Sequence, residues 1–447
     1  MDSKSQSRVR AEDRISALPD SVLCHILAFL ETKSVVRTRV LSTRWKNIWA
    51  TVPNLVFYHL PHSITANFVA FVNRILFFRD SSSAIQKFHL HFTSCHAEDF
   101  IHIDSWIRTA IMCHVVEMYL YVDSYDCELF ELPESLFTCK TLKVLTLKSN
   151  FITNIPTSGC FPNLKFLRYT VDYQAPKDSS ISLPELKTLN VSLTSTCDFR
   201  EASNFSINAP KLEKLDLMEG VLSNFILENT KSLVKANIHI YFHDDDEQDA
   251  SANCATKFLA GISSVQYMSL SSHFFQACSP PAFDNLRKLK LILHHCCDGW
   301  ELLIKLLERS HNLECLVLEH EGHRQPRNLT EQEKKGIRIK LPEDFKLVEF
   351  PAEVQWSPPE SVPKCLLSSL KSICIMGFKG KGMYGHLDEM EVIKYLLTNG
   401  RVLEKMTIYT PGLFMCTTED FYKEFSLFGW GSKTCEVEIV RKIFYYG

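Results

Sequence analysis

The residues best equipped for chemistry are His294, His295, Cys296 and Cys297, crowded into the pentapeptide LHHCC. Imidazole and thiolate suit zinc, but neighbouring residues on a strand end point to opposite sides and cannot close a tetrahedral shell by themselves. No two cysteines stand in C-x-x-C spacing, so a zinc RING of the chain's own is not expected. GFKGKG, from Gly377, lacks the GK[ST] ending of a phosphate-binding loop and reads as a turn or flexible loop. None of the sixteen cysteines sits in a pattern that predicts activation by a neighbouring base. The expectation is a chain without catalytic residues, metal or cofactor, whose work is done by binding.

Composition agrees with that emphasis. The chain has 447 residues, 45% of them hydrophobic and 23% charged, which is material for a large core and more than one ordinary domain. A formal net charge of -3 gives no global signal for a polyanion, so nucleic acid is not the expected partner. The polar start MDSKSQSRVRAEDR does not read as a secretory signal, and no apolar run is long enough to span a bilayer. Scattered cysteines beside aliphatic residues read as reduced, buried small hydrophobes. The expected location is cytoplasm or nucleus, where the N-x-[ST] sequons at Asn190, Asn204 and Asn328 are coincidences of composition.

The elements that would position a binding surface are set by one pattern. LKVLTL from Leu142, LKFLRY from Leu164, LKTLNV from Leu186 and LEKLDL from Leu212 each carry apolar residues at positions one, four and six. The same hexad recurs at Ile85, Val115, Leu233, Val265, Leu286, Leu313, Leu370 and Leu403, twelve matches in all. Successive steps of 22, 22 and 26 residues separate Leu142, Leu164, Leu186 and Leu212, within the range of about 20–29 for leucine-rich repeats. Positions four and six of a short strand share one side, and stacking of neighbouring repeats covers them. Two stretches interrupt the array: the acidic FHDDDEQDAS from Phe242, read as a solvated loop, and the long step of 57 from Leu313 to Leu370, read as a surface insertion.

Ahead of this array comes LPDSVLCHILAFL, from Leu18. Val22, Leu23, Ile26, Leu27 and Leu30 follow helical spacing, a second short helix carries Val35, Val36, Val40 and Leu41, and a third places Trp45 and Trp49 one turn apart. Three short helices make a very small core, so part of their apolar surface is expected to await a partner.

Residues 12–58, with ISALPDSVLCHILAFLETKSVVRTRVLSTRWKNIW, closely resemble the F-box as it occurs in a large plant family that continues into leucine-rich repeats and a C-terminal FBD segment. ITANFVAFVNRILFFRD, SWIRTAI, VPKCLLSSLKSICIMGF and VIKYLLTNGRVLEKMTI are similar to that family's later landmarks, while GFKGKGMYGHLDEMEV is longer and richer in glycine. The resemblance implies an α/β chain organised as a three-helix F-box (12–58), a leucine-rich-repeat solenoid (59–345) with a curved parallel sheet and outer helices and loops, an FBD segment continuing it (346–412), and a C-terminal strand or cap (413–447).

It also implies the substrate-recognition subunit of a cullin-RING (SCF-type) ubiquitin ligase. A Skp-type adaptor, through which cullin and RING protein are joined, would contact Leu18, Pro19, Leu23, Ile26, Leu27 and Leu30, with Val35, Leu41, Trp45 and Trp49 shared between contact and packing. Strand alternation then puts Lys214, Lys235, Lys288 and Lys290 on the open sheet face as candidates for holding an acidic or phosphorylated protein target. The alternative is a leucine-rich-repeat scaffold that binds a partner without recruiting a ligase. On either reading no nucleic acid and no membrane is involved.

Overall fold

In the computed structural model the described residues are 15, 17–60, 64–124, 130–149, 161–171, 179–193, 205–218, 225–239, 248–275, 278–293, 299–320, 356–377, 387–411, 425 and 427–442. LHHCC beyond Leu293, residues 242–247 of the acidic stretch, the glycine-rich loop after Gly377 and residues 321–355 of the insertion lie outside them, while the last four residues of the acidic stretch, read as loop, open a helix at Gln248. The chain forms two units, 1–176 with 181–186, and 177–180 with 187–447.

The first unit opens with three short helices, α1 (Asp20–Leu27), α2 (Thr32–Arg37) and α3 (Trp45–Ile48). Strands β1 (Asn54–Tyr58), β2 (Lys87–Cys95), β3 (Glu117–Ser124), β4 (Val144–Ser149) and β5 (Phe166–Val171) follow, every neighbouring pair parallel. Parallel strands need crossovers, and α4 (Thr65–Phe78), α5 (Phe100–Met112) and the single turn α6 (Glu134–Phe137) lie in them.

Strand β6 (Ser179–Ser182) falls at the division between the units. The second unit carries the parallel run β7 (Thr188–Leu193), β9 (Lys214–Met218), β11 (Lys235–His239), β12 (Tyr267–Ser271), β13 (Lys288–Leu293), β14 (Cys315–His320), β15 (Ser372–Met376), β16 (Lys405–Pro411) and β17 (Glu436–Lys442). Strands β8 (Phe205–Asn208) and β10 (Phe225–Glu228) pair in a separate small sheet. Helices α7 (Gln248–Gly261), α8 (Ser272–Phe275), α9 (Gly299–Arg309), α10 (Lys364–Ser368) and α11 (Leu387–Asn399) occupy crossovers.

All twelve hexads lie on strands that begin at the hexad's third residue. Register keeps them aligned: Lys214, Lys235, Tyr267 and Lys288, each a third residue, are partners across β9, β11, β12 and β13. First and fourth residues are buried throughout, from Ile85 and Phe88 to Leu403 and Met406, while Leu147 is the one sixth residue that stays partly exposed. This is the architecture of a leucine-rich-repeat solenoid, built one strand per repeat. Five described strands escaped the pattern: β6, β8 and β10 of the small sheet, and two of the main run. β1 belongs to VPNLVF, a hexad in the stretch read as the F-box end, and β17 follows Thr434, a polar residue in the first position. The insertion places no described strand between β14 and β15, which pair directly.

Candidate functional site

The three opening helices close on a core of Leu23, Leu27, Val35, Trp45, Ile48 and Val52. Pro19 stands just before α1, where a missing N–H costs nothing and its carbonyl receives the first helical bonds from Val22 and Leu23. Helices of eight, six and four residues are too short to persist alone. Tertiary bonds hold them. The Arg44 guanidinium donates to the Asp20 carboxylate and to the Leu18 carbonyl, tying the third helix to the start of the first.

Further bonds fix the module to the strands behind it. Buried Thr32 accepts from the backbone N–H of Val56 on β1 at 2.7 Å, and Asn54 donates to the Ala28 carbonyl at 3.0 Å. At the end of α4, buried Arg79 donates to the carbonyls of Val52 at 2.5 Å and Ala84 at 3.2 Å. Burial lowers the Arg79 pKa from its ordinary value, yet the guanidinium stays charged and solvates carbonyls that would otherwise face a dry interior.

Helix α1 is apolar on two sides. Leu23 and Leu27 turn inward with 0% and 2% exposure, whereas Ile26 and Phe29 turn outward with 44% and 79%. Val22 and Leu30 extend the outward face, and Val40 and Leu41, past α2, are 81% and 62% exposed. Of the ten residues expected at an adaptor contact, Pro19, Ile26, Leu30 and Leu41 lie on the surface, and Leu18 and Trp49 are half-buried. Leu23 and Leu27, expected as contacts, are core residues that a partner cannot touch without opening that core, and Val35 and Trp45, expected to share contact and packing, lie in the same core. The correction has a simple cause: so small a helical module spends one full face of α1 on its own interior. Phe29, Val22 and Val40 were missed as surface residues. Their signal was more apolar residues than one core-facing side of so short a helix and its exit can use, which marks a second burial yet to come.

On the open sheet face of the second unit, Lys214, Lys235 and Lys288 are exposed, in register, and without an ion-pair partner among the described residues. Lys290 differs. It is half-buried and paired with Glu319 on the next strand, so its charge is neutralised locally. Asp216 accepts from Asn237, and Lys405 pairs with Glu438 at 2.7 Å, so the positive ladder is confined to three lysines with Tyr267 between the second and third.

The corresponding face of the first unit is aromatic. Tyr58, His91 and Tyr121 are register partners across β1, β2 and β3, and His89 and Tyr119 are partners one row away. Burial, reinforced by Lys87 and His91, pushes the His89 pKa down to about 4, and burial also lowers that of His91. Both imidazoles are neutral at neutral pH. These residues, at the fifth hexad positions and two further on, could have been read from IQKFHLH and VVEMYLY.

Chemistry is sparse elsewhere. Burial pushes the thiol of Cys95 up to about 12, that of Cys278 to about 11 and that of Cys365 to about 12, away from nucleophilic thiolates. Among the described residues no His, Cys, Asp and Glu side chains cluster in a metal-holding group, and no helix is long and apolar enough to cross a membrane.

A helical module presenting unspent apolar surface, fastened to repeat strands, defines the class of F-box proteins carrying leucine-rich repeats. The F-box family model matches residues 15–57, and the FBD model matches residues 358–408. Over 98% of its length the chain is 30% identical to the whole of an F-box/FBD/LRR-repeat protein of Arabidopsis thaliana. F-box/LRR-repeat protein 13 of the same plant is 30% identical, over 91% of this chain and 93% of its own. The chain belongs to the plant F-box/FBD/LRR-repeat family. F-box domains bind Skp-type adaptors, and the family role this suggests is that of a non-catalytic substrate adaptor in SCF ubiquitin ligases.

Proposed function

We propose that the chain is the target-recognition subunit of an SCF-type ubiquitin ligase, acting in cytoplasm or nucleus. The observation that carries this reading is the exposed apolar residues of α1 and its exit, Val22, Ile26, Phe29 and Leu30, together with exposed Val40 and Leu41. Apolar side chains left this open on so small a module fit burial against a Skp-type adaptor, which then brings cullin and RING protein. The target is a protein held on the open sheet face, and Lys214, Lys235 and Lys288 are the proposed contacts for its acidic or phosphorylated segment. Three aligned lysines about 5–10 Å apart repel one another, and an anion relieves that cost.

Two measurements test the reading. Co-purified with a Skp-type adaptor, the wild-type chain is expected to form a stable complex that Phe29→Glu weakens at least about tenfold. Ubiquitin transfer is expected only when adaptor, cullin, RING protein and conjugating enzyme are all present. Adaptor capture undiminished by Phe29→Glu together with Ile26→Glu would refute the assigned face. A thiol-sensitive ubiquitin adduct on the chain alone would refute the non-catalytic role.

A further inference from the structure

The open sheet face of the first unit differs in kind from the lysine ladder. A solvated sheet face ordinarily carries short polar and charged side chains. Here rings from three successive strands touch: Tyr58 lies edge-on to His89 at 5.1 Å and to His91 at 5.6 Å, and His91 lies edge-on to Tyr121 at 4.2 Å. His89 and Tyr119 extend the contact at 5.6 Å. Rings that brace one another have little rotamer freedom left to lose when a ligand lands on them.

Cations sit above these rings. Lys87 Nζ is 4.6 Å from the Tyr119 ring centre and Lys148 Nζ is 4.9 Å from that of Tyr121. Glu117 is the register partner of Lys87, yet Lys87 forms no ion pair with it; Glu117 instead accepts from the Tyr119 hydroxyl at 3.3 Å. Burial and Glu117 raise the Tyr119 pKa, so that hydroxyl keeps its proton. Both ammonium groups therefore retain donors for an incoming anion, with aromatic surface directly beneath.

We propose that this face docks an acidic protein segment bearing an aromatic side chain, the ring stacking on Tyr119 and Tyr121 while flanking carboxylates close on Lys87 and Lys148. The assignment rests on the reading of the chain as a target receptor and names a chemical class of target. Charge favours a peptide over nucleic acid. Glu117 and Asp123 interrupt the cations, which suits separated carboxylates and opposes a continuous phosphate chain.

The test uses the full chain in complex with its adaptor. A fluorescein-labelled random copolymer of glutamate and tyrosine is titrated against labelled polyglutamate of equal length. The copolymer is expected to bind about tenfold tighter, as two aromatic contacts would supply. Tyr119→Ser with Tyr121→Ser should erase that margin, and Tyr121→Phe should keep it. Lys87→Glu with Lys148→Glu, at positions outside the core, should weaken the copolymer, whereas reversing Lys214, Lys235 and Lys288 should leave the margin intact. Equal binding of the two polymers, a margin that survives the double tyrosine variant, or tighter binding of oligouridylate that the same variant abolishes would each overturn the proposal. Adaptor capture by the same preparations reports separately on the receptor reading.

Discussion

Arg44 holds Asp20 across 24 residues of chain, with Nε 2.9 Å and Nη2 2.5 Å from one carboxylate oxygen, while Nη2 also reaches the Leu18 carbonyl. The pair is partly exposed, so its weight lies in geometry more than in charge. Lysine keeps the charge but loses the planar fork. Arg44→Lys is expected to destabilise the chain by up to about 1 kcal/mol in urea unfolding followed by tryptophan fluorescence. Identical midpoints for variant and wild type would show the clamp to be incidental.

Core and contact roles on α1 separate by substitution. Leu27→Ala should cost about 2–5 kcal/mol of stability by leaving a cavity in the core it shares with Leu23 and Trp45. Leu27→Arg would bury a charge and unfold the module, so it cannot serve as a clean probe of adaptor binding. Phe29→Glu should change stability by less than about 0.5 kcal/mol, because the ring already faces water. Thermal unfolding of both variants decides; a large loss for Phe29→Glu would place that ring in the core.

Arg79 is the junction between the helical module and the strands. Arg79→Met removes the donors to the carbonyls of Val52 and Ala84 and should cost about 3 kcal/mol, with Arg79→Lys restoring little of it. Denaturant midpoints check this. Full rescue by lysine would mean that charge, not the forked donor set, holds the junction.

His89 predicts a pH dependence. Its folded pKa is depressed from 6.5 to about 4, so between these values the unfolded chain binds more protons than the folded one. Stability from this group is therefore complete above 6.5 and is lost as pH falls toward 4. His89→Phe should show a smaller drop in Tm between pH 7 and pH 5 than wild type. An unchanged drop would assign the acid sensitivity to other groups.

The repeat strands were legible because burial on a sheet is one-sided and periodic. Leu212, Leu215 and Leu217 announce their strand by type and spacing, and the same grammar held at every hexad. Where one letter departs, as at Thr434, the strand is formed by pairing along β16 and not by its own pattern. The charge state of the lysine face was less legible, since Glu319 lies 29 residues from Lys290 in sequence and meets it only by lying on the next strand.

By itself the sequence determined the twelve hexad strands and the position of the opening helices, because both depend on local spacing of apolar residues, and its resemblance to known F-box and FBD segments pointed to the family. Tertiary structure decided which side of α1 is spent on the core and which stays open. Both sides are equally apolar in sequence, and the difference arises only when Trp45, Ile48 and Val52 fold back to cover Leu23 and Leu27 and leave Ile26 and Phe29 to water. It likewise decided that Tyr58, His91 and Tyr121, separated by more than sixty residues of chain from first to last, become one aromatic surface, since register between parallel strands is set by the stacking of whole repeats.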